Sequence, residues 1–102
     1  MNKEQIKNKI CQAVQKEPEK HIIKKISLFG SYLNDSANQD SDVDILIEFS
    51  GPIGLFGLCA IQRRFSEHLN KPVDLLTPDF LNKRFRSTVL DRSEQIYEQA
   101  RT

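Results

Sequence analysis

Residues 28–48, LFGSYLNDSANQDSDVDILIE, constrain this chain more than any other stretch. An apolar run ends at Phe29, followed by Gly30-Ser31 and a polar loop. Asp42-Val43-Asp44 then opens a second apolar run, Ile45-Leu46-Ile47. Along a strand the side-chain period is two, so Asp42 and Asp44 project from one face with α-carbons roughly 6.5 to 7 Å apart. Carboxylates placed that way can share two cations about 3.5 to 4 Å apart. Left bare at the start of an apolar strand they are costly unless hydrated, paired or metal-bound. The Gly30-Ser31 step, between a strand and a short helical turn, offers backbone N–H groups to phosphate oxygens. Metal carboxylates one loop away from a phosphate cradle suggest phosphoryl or nucleotidyl chemistry.

A chain of 102 residues makes one domain with a modest core, built in two layers: a small sheet with helices on one face. Fifteen basic against fourteen acidic residues leave a net charge of +1, which weighs against a dedicated nucleic-acid surface, since that needs a basic stripe. No run reaches the roughly 18 apolar residues of a membrane span, and MNKEQIKNKI carries no apolar signal region. Cys11 and Cys59 lack Cys-x-x-Cys spacing and read as reduced, structural residues of a cytoplasmic protein.

In chain order, Ile6, Ile10, Ala13 and Val14 form one stripe and predict a helix over 3–16, closed by Pro18. Residues 24–29 read as the first strand, and His21 before it reads as a surface residue with no partner at metal spacing. Asp35 and Asp40 belong to a polar loop. On the second strand, 42–49, Val43, Ile45, Ile47 and Phe49 face the core; Asp42, Asp44, Leu46 and Glu48 face an open surface. Glu48 lies about 13 Å along the strand from Asp44 and reads as a surface or supporting charge.

A second helix over 53–69 is expected, with Pro52 at its first position and Arg63, Arg64 and His68 on its wet face. Its wide apolar start, including Leu55 and Phe56, exceeds what a small sheet covers and leaves room for a partner surface. Gly54 and Gly57 there either admit a close neighbour or fray. Val73-Asp74-Leu75-Leu76 is a short third strand. Its aspartate either joins Asp42 and Asp44 or marks a strand edge against sheet pairing. Asp79 starts a third helix with Lys83, Arg84 and Arg86 in solvent, and Ile96-Tyr97 sits on a last edge strand.

Phe29-Gly30-Ser31, then Ser41-Asp42-Val43-Asp44-Ile45-Leu46-Ile47, then Val73-Asp74-Leu75 together resemble a minimal nucleotidyltransferase domain of the DNA polymerase beta-like superfamily, over residues 22–98. Each motif is weak alone; their order, spacing and third carboxylate are specific. The resemblance implies an α/β (α+β) nucleotidyltransferase fold with a mixed sheet of three to four strands. It implies that Asp42, Asp44 and Asp74 hold two magnesium ions, that Asp74 helps position or activate the acceptor hydroxyl, and that Gly30 and Ser31 bind the triphosphate.

Small members similar to this chain pair with HEPN-type toxins as antitoxins, and some move AMP from ATP to a tyrosine of that partner. The family's Arg-Gly step after Gly-Ser is Asn34-Asp35 here, so a cationic phosphate contact is missing or supplied elsewhere. The implied alternative is a partner-binding antitoxin that neutralises by contact. A sugar-nucleotide transferase would need a larger sheet and acceptor lobe. A calcium site would need more oxygens than a short strand pair supplies. Base preference and acceptor are not legible, and self-association or a hetero-complex both suit the apolar helix faces.

Overall fold

A computed structural model describes residues 2–30, 42–78 and 92–99 of the chain. Helix α1 spans Lys3–Lys16. A reciprocal cap starts it: Asn2 Oδ1 accepts from the Gln5 amide and Gln5 Oε1 from the Asn2 amide, both at 2.9 Å. Two amides that a helix start leaves orphaned are thereby satisfied. Its stripe of Ile6, Ile10, Ala13 and Val14 is buried. After Glu17-Pro18 a single 3-10 turn, Lys20–Ile22, leads into strand β1, Ile23–Phe29.

Strand β2, Val43–Phe49, pairs antiparallel with β1, placing Ile47 opposite Ile26 and Ile45 opposite Leu28. Helix α2, Leu55–Leu69, then carries the chain to β3, Val73–Leu76, which lies beside β2 and parallel to it. Parallel neighbours need a long crossover, and α2 is that crossover. Strand β4, Glu94–Glu98, pairs antiparallel on the far side of β1, so the mixed sheet runs β3-β2-β1-β4.

The α1 stripe and Leu58, Ile61, Phe65 and Leu69 of α2 share one core with Ile26, Leu28, Val43, Ile45, Ile47, Val73 and Leu75 of the sheet. The helices therefore cover one sheet face, and each fully buried side chain of this size contributes about 1.5–3 kcal/mol.

Three expectations need correction. Helix α2 begins two residues later than expected, with extended Gly54 as its N-cap and Pro52 outside it. Ile53 is partly buried against the core, and a Cβ on Gly57 would stand 3.0 Å from its Cγ1. Packing of Ile53 over the first turn sets the boundary, and Gly57 permits it. Next, Leu46 is not on an open surface. It is buried at 2% exposure, as is its β1 partner Ser27 at 3%, on a central strand between Ser27 and Leu76. Last, of the three residues assigned to the wet face of α2, only Arg63 is exposed. Arg64 donates from Nε to Glu17 Oε1 at 2.6 Å and from an Nη to Glu17 Oε2 at 3.1 Å, fastening α2 to the end of α1. His68 is half-buried.

Candidate active site

The registers decide which acidic side chains meet. Asp44 lies opposite Phe29 on one side and Asp74 on the other. In-register residues of parallel neighbours point the same way, with strands about 4.8 Å apart. Asp44 and Asp74 thus share the face opposite the helices, since Val43, Ile45, Val73 and Leu75 between them are buried in the core. Asp42 stands just before β2 and is exposed, as is Asp74; Asp44 is half-buried. The Val43 amide donates to the Pro72 carbonyl at 2.9 Å, which ties the start of β2 to the start of β3.

Gly30 closes the other side of Asp44. Its φ is +79°, a region that costs an L-residue roughly 1–2 kcal/mol. A Cβ there would stand 2.2 Å from Asp44 Oδ2, 3.0 Å from Cγ and 3.2 Å from Cβ. The carboxylate therefore lies against bare glycine backbone. Burial pushes the Asp44 carboxyl above the usual range, and the charges of Asp74 and then Asp42 push it further the same way. The Asp74 and Asp42 charges are thus near enough to oppose ionisation of Asp44. Among the described residues, no three His, Cys, Asp or Glu side chains are drawn tightly enough to cage an ion. What the geometry presents is an open group of carboxylate oxygens on one face of the sheet, with Asp44 at its centre.

Ser31, expected to share phosphate binding with Gly30, lies outside the described residues, as do Asn34, Asp35, Asp40 and the helix expected from Asp79 onward. Glu48 faces Lys25 across the β1–β2 pair at 4.0 Å, and His21 is exposed, 3.9 Å from Glu19, so both are surface groups. Cys11 and Cys59 are free thiols. A cleft of about 290 Å³ lined by Ile47, Phe49, Ile53 and Thr77 opens toward the opposite end of β2 and includes none of the three aspartates.

Two residues went unread. Gln62 and Ser66 of α2 accept from the Leu75 and Val73 amides at 2.9 and 3.0 Å. A glutamine inside an apolar stripe, with a serine one turn later, was the available signal.

Such a sheet, helices on one face and carboxylates on the other, is a nucleotidyltransferase fold. The family model described as "Polymerase beta, Nucleotidyltransferase" matches residues 8–102. A Methanocaldococcus jannaschii protein, provisionally named a protein adenylyltransferase, is 32% identical over 96 residues, 94% of this chain and 99% of that one. Two solved structures share the fold. A chain from a toxin–antitoxin crystal structure with AMP-PNP superposes with TM-score 0.75 at 21% identity, over 91% of this chain and 73% of that one. A chain from the complex of tri-AMPylated Shewanella oneidensis HEPN toxin with MNT antitoxin gives 0.70 at 19% identity, over 95% and 73%. This chain belongs to the polymerase beta nucleotidyltransferase family.

Proposed function

We propose that the chain transfers AMP from ATP to a hydroxyl, a tyrosine, of a HEPN-type toxin in the cytoplasm and so acts as its antitoxin, with Asp42, Asp44 and Asp74 as the catalytic carboxylates. One observation carries the reading: Asp44, the residue between Phe29 and Asp74 in the sheet, packs its carboxylate on Gly30. The adenylyltransferase relative and the AMPylated toxin complex support the choice of acceptor, and the complex with AMP-PNP supports ATP.

In this reading the three aspartates would hold two magnesium ions, which would supply Lewis-acid activation and charge neutralisation. Asp42 and Asp44 bring their oxygens to the α-phosphate side of the site, and Asp74 brings its own to the acceptor side. Gly30, whose missing side chain makes room for the Asp44 carboxylate, would offer its backbone amide to the phosphates, and Ser31 would add a hydroxyl. The acceptor oxygen attacks the α-phosphorus, the bond to the bridging oxygen breaks, pyrophosphate leaves and the hydroxyl proton is released. Incubation with α-labelled ATP, magnesium and the cognate partner labels the partner, and intact mass counts the groups added. Equal labelling by wild type and Asp44→Asn would refute the mechanism.

A second reading, neutralisation by contact alone, is favoured by one observation: Leu55 is 66% and Phe56 90% exposed at the start of α2. An apolar pair of that kind suits the toxin as its occupant. If Asp42→Asn and Asp74→Asn neutralise the toxin fully while Phe56→Ser does not, contact carries the function.

A further inference from the structure

Among the described residues β3 is an edge of the sheet, so its outward backbone groups have no described strand to pair with. Two outward amides are nevertheless satisfied by side chains of α2: Val73 donates to Ser66 Oγ at 3.0 Å and Leu75 to Gln62 Oε1 at 2.9 Å. The spacing is matched. Four residues of helix rise about 6 Å, and two residues of strand about 6.6 Å. The order is reversed, with the earlier helix residue on the later strand residue, so the helix and strand run in opposite directions and the two bonds form a two-point clamp. Asp74 sits between the clamped amides. On its inner side β3 is held by the Val43 to Pro72 bond and by the Asp44–Asp74 register. A slip of one residue would break both clamp bonds and send Asp74 to the core face.

We propose that Gln62 and Ser66 are positioning residues for the acidic site, fixing the register of β3 so that Asp74 stands beside Asp44. The proposal rests on the reading of Asp74 as a site carboxylate. Neither residue touches substrate; both act through the backbone of β3.

The test uses the full chain, with its cognate partner for transfer. Gln62→Met and Ser66→Ala remove the acceptors, Gln62→Glu and Ser66→Thr keep them, and Leu58→Ala weakens α2 packing without touching either bond. Three readouts are taken: amide exchange at Val73 and Leu75, Mn2+ binding by nucleotide-free protein, and the Mg2+ concentration giving half-maximal AMP transfer. The Gln62→Met/Ser66→Ala pair should speed exchange at both amides and weaken Mn2+ binding about tenfold, as loss of groups supporting metal ligands does. The Mg2+ requirement should rise in step. Acceptor-keeping variants and Leu58→Ala should stay within about twofold of wild type on the metal readouts.

Should the double variant fail to fold, Ser66→Ala alone gives the same pattern at smaller size, confined to Val73. Faster exchange with unchanged metal readouts overturns the proposal. Asp74→Asn with wild-type metal binding and transfer instead refutes its premise, and is recognised because that failure lies in the Asp74 variant itself.

Discussion

Gly30→Ala tests the site most directly, because two independent costs can be worked from the backbone. The first is conformational: at φ +79° an alanine is disfavoured by roughly 1–2 kcal/mol. The second is steric. The new Cβ would stand 2.2 Å from Asp44 Oδ2, where an unstrained contact needs about 3.5 Å, so the oxygen must move by more than about 1 Å. Rotating the carboxylate about χ2 is not sufficient, because Cγ at 3.0 Å and Cβ at 3.2 Å are crowded too. An off-rotamer side chain adds about 0.5–1.5 kcal/mol.

The sum, about 1.5–3.5 kcal/mol, lowers Tm by roughly 6–28 °C in a domain this size. Transfer should fall further than stability, about a hundredfold, because a 1 Å displacement of a reacting group costs on that order. Gly51→Ala is the control: no atom lies within 4 Å of its Cβ, so its stability should stay within about 0.5 kcal/mol of wild type. Urea unfolding measures the first quantity, and intact mass of the partner after timed incubation with ATP and Mg2+ the second. Adding Asp44→Ala should recover the steric part and leave the conformational part, a coupling of about 1 kcal/mol. Wild-type stability and transfer in Gly30→Ala would refute the placement of Asp44 against Gly30.

Three further outcomes follow from charge and burial. Burial and the Asp74 and Asp42 charges raise the Asp44 carboxyl, so its stabilising contribution is full below the unfolded carboxylate pKa and is lost as pH rises through the raised value. Asp44→Asn should therefore raise Tm at pH 7 without metal, the gap should close on acidification, and Mg2+ should stabilise wild type alone in thermal melts. His68 runs the other way: burial, then the charges of Lys16 and Lys9, hold it below its ordinary value. Its contribution is present above about pH 6.5 and is lost as pH falls through the depressed value, and His68→Gln should flatten that loss in urea midpoints measured from pH 7 to 5. Glu17 has a side chain 0% exposed and is held by Arg64. Arg64→Met should cost about 3 kcal/mol in urea unfolding, and adding Glu17→Gln should return much of it.

Local pattern and non-local packing divide what the residues disclose. Helix α1 was readable to the residue because its stripe and Pro18 are both local. The four residues of β3 were bounded by Pro72 and Thr77-Pro78 in the same way. The start of α2 was not, because Pro52 is tolerated equally well inside a first turn or two residues before a cap. The choice is made by Ile53 packing on Gly57. Alternation told which way Leu46 points but not that it is buried there. Periodicity placed Arg64 and His68 on the wet face, but the end of α1, with Glu17 some 47 residues earlier, decides that neither is free in solvent.

The same division explains the site. Asp42 and Asp44 are paired by a period of two, so they were legible together. Asp74 joins them only because β3 returns parallel to β2 and in a register that pairs it with Asp44. No feature of VDLL states that register; it is set by contacts to other elements, the Pro72 carbonyl on one side and Gln62 and Ser66 on the other. The Asp74 and Asp42 charges beside half-buried Asp44 would by themselves favour a slipped or frayed edge strand. Holding them together therefore needs a core on the opposite face strong enough to offset that tendency. Leu75 and Val73, buried against α2 on either side of Asp74, supply that anchorage while their amides lock the register. The acidic face and the apolar face of β3 are thus one device, and loss of the Gln62 and Ser66 acceptors should be felt at the carboxylates before it is felt in the fold.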